Sequence, residues 1–192
     1  MDFVSGLPLT ARKNDSIWVV VDRLTKSTHF IPMRTDYSLE KLGDLYVSEI
    51  VRLHGVPLSI IFGRDPRFTS RFWRKLQEAL RTKLNFSTAF HPQTNDQLER
   101  IIQILEDLLW CCFLEFQGGW ERYLPLVEFT YNNSYQSSLK MAPYEALYGR
   151  RCRTPLNWTE LRENQIHGVN LVKETEEKVK VIHDCIKATS DT

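Results

Sequence analysis

"SIIFGRDPRFTSRFW", Ser59 to Trp73, is the stretch on which the reading of this chain turns. With the residues before it, "VPLSIIFG" from Val56 is a short apolar run that predicts a buried strand. Arg64-Asp65-Pro66-Arg67 follows as a charged loop, and "TSRFWRKLQEALRTK" then carries its apolar residues at helical spacing. A strand that delivers charge into a loop is the usual way to build a site, yet the first position after the apolar run is Gly63.

Upstream, "DFVSGLP", "SIWVVVDRLT" and "HFIPM" alternate short apolar runs with turn residues and predict three strands in an antiparallel meander. "SLEKLGDLYVSEIVRLHG" predicts a helix capped by Ser38 and stopped at Gly55. "LNFST" predicts one more strand, giving the order β-β-β-α-β-α-β. Helices follow. "TNDQLERIIQILEDLLWCCFLEF" is the clearest, with Thr94 and Gln97 as a capping box and Leu98, Ile101, Ile102 and Leu105 on its apolar side. "GWERYLPLVEFTYNNS" predicts a helix that tolerates Pro125 in its first turns, and "APYEALYG" a short one closed by Gly149. From about Arg150 the composition becomes that of a linker before a charged amphipathic helix. The expected division is a catalytic-type core over residues 1–150, and a linker with a C-terminal helix over 151–192.

Hydrophobic residues at 42% and aromatics at 11% exclude a disordered chain. The net charge of +1 is uninformative, but its distribution is not: residues 1–90 carry 14 basic against 9 acidic side chains. That excess concentrates around Arg64, Arg67, Arg71, Arg74 and Lys75, the pattern of a phosphate-facing surface or of a solvated helix face. The four cysteines and five histidines never adopt zinc-ligand spacing, so no structural zinc is expected. Neither a signal peptide nor an apolar run of membrane-spanning length is present, and the expectation is an intracellular chain that is not secreted and meets no membrane.

If strands 1 and 4 are neighbours, three positions converge: Asp2 at the start of strand 1, position 63 at the end of strand 4, and Glu99 in the first turn of the long helix. Carboxylates gathered this way hold paired Mg²⁺ ions for phosphoryl transfer, although a lone Asp or Glu is more often a surface charge. "MDFVSGLP", "WVVVDRLTKSTHFIP", "DPRFTSRFW", "AFHPQTNDQLER" and "APYEALYGRRCRTP" together resemble the integrase core of gypsy-type long-terminal-repeat retrotransposons, related to retroviral integrase. The likeness runs in order from Met1 to about Asp184.

The resemblance implies an α/β, ribonuclease-H-like fold with a five-stranded mixed sheet flanked by helices. It also implies an Mg²⁺- or Mn²⁺-dependent DNA strand transferase and endonuclease, nuclear, acting on double-stranded DNA and assembling as a homo-oligomer. Its acid triad maps onto Asp2 and Glu99, and the remaining position, with 35 residues between it and Glu99, is Gly63. The second metal ligand is therefore lost, metal binding is expected to be weakened, and Asp65 is the one nearby carboxylate to weigh as a rescue. His91 and Gln93, in the loop before Glu99, are candidates for touching the DNA end.

Asn95, Asp96 and Leu98 depart from the family pattern in that loop. The sequence starts one residue before Asp2, and the expectation is that the flanking zinc-binding and DNA- or chromatin-binding domains of the family are missing. The expected picture is a decayed copy with strand 1 cut back. Three readings follow: an active strand transferase, an impaired core that keeps nucleic-acid affinity, and a DNA-binding or oligomerisation module without catalysis. A plain ribonuclease-H nuclease stands further off, because the "HPQT" and "APYEALYG" blocks resemble integrases specifically.

Overall fold

Three strands open the chain in the predicted order: β1 (Asp2–Ser5), β2 (Ser16–Val21) and β3 (Thr28–Met33), forming one sheet in the order β1-β2-β3. β1 runs antiparallel to β2, with Asp2 opposite Val19 and Phe3 opposite Trp18. The β2–β3 turn closes with the Asp22 N–H donating to the Ser27 carbonyl at 2.8 Å. Within it the Asp22 carboxylate accepts from the Thr25 N–H at 3.0 Å. The computed structural model describes residues 1–62, 65–86, 100–105, 119–152, 175 and 177–184. It divides into two units: Met1–Val20 with Ile31–Ile102, and Val21–Phe30 with Gln103–Thr192.

In the first unit, Ser38 accepts from the Lys41 N–H at 3.3 Å and starts α1 (Leu39–Tyr46). The helix continues through a π-turn, Val47–Val51, into α2 (Arg52–His54) and stops at Gly55, whose φ of 76° suits glycine. Strands β4 (Ser59–Phe62) and β5 (Lys83–Phe86) pair in parallel, Ile60 opposite Leu84. Between them a short α3 (Pro66–Thr69) occupies the stretch expected as a charged loop, and α4 (Arg71–Ala79) is the helix expected from Thr69 onward. The break is Ser70, whose extended backbone lets its hydroxyl accept from the Trp73 N–H at 3.1 Å, a cap that restarts the helix.

All five predicted strands are present, but among the described residues they form a three-stranded sheet and a two-stranded pair, not one continuous ladder. The two meet where the Met1 nitrogen donates to the Ile61 carbonyl at 3.0 Å. β1 reaches β4 only one position ahead of Asp2, which leaves register for a single bond. Beneath this junction Trp18, Tyr46, Phe68 and Trp73 pack with ring centroids 5.4–6.2 Å apart. Trp73 is 1% exposed. Aromatic side chains of this size dominate core energetics.

α5 (residues 100–105), which begins in the first unit and ends in the second, buries Ile101 and Leu105, as the helical spacing predicts; its capping box at Thr94 and Gln97 lies outside the described residues. The rest belongs to the second unit. A 3₁₀ turn, Trp120–Arg122, leads into α6 (Leu124–Asn133), with Pro125 in its first turn. α7 (Pro143–Tyr148) closes at Gly149 with φ 69°, and residues 177–184 form α8.

α6 covers the open edge of β3 with side chains. Asn132 Oδ1 accepts from the Thr28 N–H and its Nδ2 donates to the Thr28 carbonyl, both at 2.8 Å, while Glu128 Oε2 accepts from the Phe30 N–H at 2.8 Å. The next outward position on that edge is Pro32, which has no N–H. The edge strand thus presents no free donor at 28, 30 or 32, which blocks pairing by a foreign strand.

Candidate active site and nucleic-acid face

Asp2 opens β1 and is partly buried, with Oδ1 accepting from the Phe3 N–H at 2.9 Å. The bond from Met1 to Ile61 sets the start of β1 beside the end of β4, one residue short of position 63. Gly63, Arg64, His91, Gln93 and Glu99 lie outside the described residues. Among the described residues no three or more His, Cys, Asp or Glu side chains gather as a metal group.

Asp65, the candidate rescue, is committed elsewhere. It caps α3, with Oδ1 accepting from the Arg67 N–H at 2.8 Å, and it receives both Nε (2.9 Å) and Nη2 (2.7 Å) of the Arg67 guanidinium. Burial raises its pKa, but the hydrogen bonds and charge of Arg67 outweigh this and hold the carboxyl below its ordinary value. A depressed folded-state pKa gives stability that is complete above the unfolded value and lost as pH falls through the folded one. In acid melts the gap between the parent and Asp65→Asn is therefore expected to be full at pH 6 and to close below pH about 4. A gap that stayed constant to pH 2 would mean the ion pair contributes nothing.

Arg67, expected on the phosphate-facing surface, is turned inward. Its Cζ lies 3.6 Å from the centre of the Phe3 ring, its Nη1 is buried, and its side chain is 21% exposed. The helix decides which other basic residues share a face. Arg71, Arg74 and Lys75 stand at i, i+3 and i+4 on the exposed side of α4, opposite the buried Trp73 and Gln77. Like charges at that spacing repel by a few tenths of a kcal/mol. Arg71 also sits in the first turn, against the helix dipole. An external anion relieves both.

Sequence reading missed the contact of Arg67 with Phe3 and the grip of α6 on β3. The Asp-Pro-Arg cap was a visible signal for the first half of the former. Nothing local announced that Glu128 and Asn132 serve residues about 100 positions earlier.

No protein-family model matches the chain. It is 31% identical over 148 residues, 77% of its length, to the Tf2-3 transposon polyprotein of Schizosaccharomyces pombe, of which the match spans 11%. Among solved structures, a simian T-cell lymphotropic virus intasome in complex with the PP2A regulatory subunit B56 gamma superposes at TM-score 0.64 and 14% identity, over 80% of this chain and 55% of that one. The HTLV-2 integrase catalytic core domain, in complex with magnesium in a dimeric form, superposes at 0.58 and 15%, over 76% and 92%. These likenesses show the ribonuclease-H-like fold, which the strand order and the junction of β1 with β4 bear out. Taken with the ordered motifs from Met1 to the "APYEALYG" block, they show that the chain belongs to the integrase catalytic cores of long-terminal-repeat retrotransposons.

Proposed function

We propose that this chain is an integrase core that keeps its grip on duplex DNA but has lost strand transfer at a useful rate. The observation that carries the reading is the engagement of Asp65: position 63 is glycine, and Asp65, the carboxylate two residues on, is held by Arg67 through three hydrogen bonds. The described residues therefore do not fit a two-cation centre, because they bring one acid, Asp2, to the junction of β1 and β4. By family resemblance Glu99 is the other remaining ligand, and Mg²⁺ or Mn²⁺ is held weakly by this pair.

DNA is held by phosphate contacts from Arg71, Arg74 and Lys75, which need no base readout and release counterions. Each phosphate contact contributes about 0.9 to the slope of log affinity against log salt. The triple alanine variant is expected to bind more weakly and to lose between two and three units of slope, read by fluorescence anisotropy across a salt series. An unchanged slope would move the DNA to another surface. The dimeric form of the HTLV-2 core supports self-association, and a DNA substrate supports a nuclear site of action; sedimentation and imaging of a tagged chain test these. No helix among the described residues is long and apolar enough to cross a membrane.

A further inference from the structure

The turn between β2 and β3 is a stiff frame. Asp22 Oδ2 accepts from the N–H and the hydroxyl of Thr25 at 3.0 and 2.6 Å, and Oδ1 accepts from the Leu24 N–H at 3.4 Å. The Thr25 hydroxyl lies 3.0 Å from that of Ser27, whose carbonyl accepts from the Asp22 N–H at 2.8 Å. The base of the turn is gripped as well, because Asn132 bonds both backbone groups of Thr28. At the tip of this frame Leu24 is 82% exposed.

Turns draw on Gly, Asn, Asp and Ser, so local chemistry gives leucine no reason to stand there. Its neighbours are cations. Arg23 is exposed, and Lys26 is partly buried and held at φ 60°, where glycine or asparagine would sit with less strain. Both oxygens of Asp22 are engaged by the turn itself, which leaves the two cations to set the outward charge. Burial first, and then the charge of Arg23, lower the Lys26 pKa against the pull of Asp22, so the cations lie within each other's field. An anion shared between them relieves that repulsion.

We propose that this tip is a DNA wedge: Leu24 enters a flexible base step from the minor groove while Arg23 and Lys26 take the phosphates on either side. The proposal rests on the reading that the chain binds duplex DNA, and adds a contact that deforms the duplex. Apolar side chains inserted between base steps unstack and kink DNA, and the cost of unstacking falls on the wedge. A loose loop would yield before the step opened. A turn already locked in its bound shape loses no further freedom on insertion. Pyrimidine–purine steps such as TA open most easily and are the expected sites. A protein partner fits the tip less well, because leucine is under-represented among the residues that anchor protein interfaces.

The test uses the full chain and a duplex of about 25 base pairs, with 2-aminopurine as the purine of a central TA step. Its fluorescence rises when the step unstacks, and the parent is expected to raise it. Leu24→Ser should remove the rise and weaken binding at least about fivefold, the net of a buried leucine against an unstacked step. The slope of log affinity against log salt should stay unchanged in this variant, since no charge is lost. Leu24→Met, another apolar wedge, should keep both signal and affinity. Arg23→Gln should lower the slope by about 0.9. Leu24 is exposed, so its variants are expected to melt with the parent. A parent that binds the duplex while the probe stays dark overturns the wedge and leaves the duplex reading standing. So does a Leu24→Ser chain that keeps the signal, whatever its affinity. A parent without salt-dependent affinity for the duplex overturns both.

Discussion

Gly63→Asp is expected to raise Mn²⁺ affinity by at least about tenfold and, if the proposal of a lost acid holds, to raise Mn²⁺-supported joining well above that of the unmodified chain. The argument is one of charge and ligand count. Two divalent cations held close together repel, and carboxylates with substrate phosphate are what offset that repulsion in phosphoryl-transfer sites. Glycine at position 63 contributes neither charge nor oxygen. Losing a supporting residue around a metal already costs 10–100-fold, and a direct ligand counts for no less. Positioning for in-line attack depends on both ions, so the rate falls further than affinity.

Asp65→Asn in the same background is expected to spare metal binding and to lower stability by about 1–3 kcal/mol, because it replaces the forked ion pair with Arg67 by a neutral contact while the amide oxygen still caps α3. Calorimetry and a joining assay with preprocessed duplex ends separate the two. Robust Mg²⁺-dependent joining by the unmodified chain, abolished by Asp65→Asn, would show that Asp65 escapes Arg67 and is the working acid.

The largest loss of stability is expected at Asn132, far in sequence from any acid. Asn132 is fully buried, and its amide gives one donor and one acceptor to the backbone of Thr28. Aspartate keeps the acceptor and sets a second oxygen against the Thr28 carbonyl. At neutral pH that is a buried, unpaired charge, costing about 3–5 kcal/mol, or roughly 10 °C in melting temperature for a chain of this size.

Burial and the facing carbonyl raise the folded-state pKa of such a carboxyl above its unfolded value. The folded form then binds more protons, and stability falls as pH rises through the interval between the two values. The Asn132→Asp deficit should accordingly shrink on acidification, whereas Asn132→Ala, leaving both Thr28 groups unpaired, should cost about 2–5 kcal/mol without that pH dependence. Thermal melts at pH 5 and pH 8 decide it. An Asn132→Asp chain as stable as the parent at pH 8 would mean that α6 does not hold the edge of β3.

Near Asn132, Tyr144 carries a related signature. Burial first, and then the Glu128 carboxylate, push its phenol up to about 12, so it stays neutral and able to donate throughout the working range.

What the sequence determined alone is what local forces decide. β-branched runs bounded by turn residues placed β2, β3 and β4, and the helix limits at Ser38, Gly55, Pro125 and Gly149 followed from caps and φ preferences that act over a few residues. The proposed loss of an acid at Gly63 rests on the sequence too, through the spacing from Glu99 that the family resemblance implies. Tertiary structure alone decided the rest. The stretch read as a charged loop forms α3 because Asp65 caps it, and Ser70, its hydroxyl turned to cap α4, parts the two helices. The π-turn after Tyr46 left no mark in the apolar pattern. Arg67 faces Phe3 instead of solvent, and Asn132 serves Thr28, because each bond forms between residues about 60 and 104 positions apart. Such contacts exist only after the chain has closed those loops, and a side chain with several donors has no preferred partner until then.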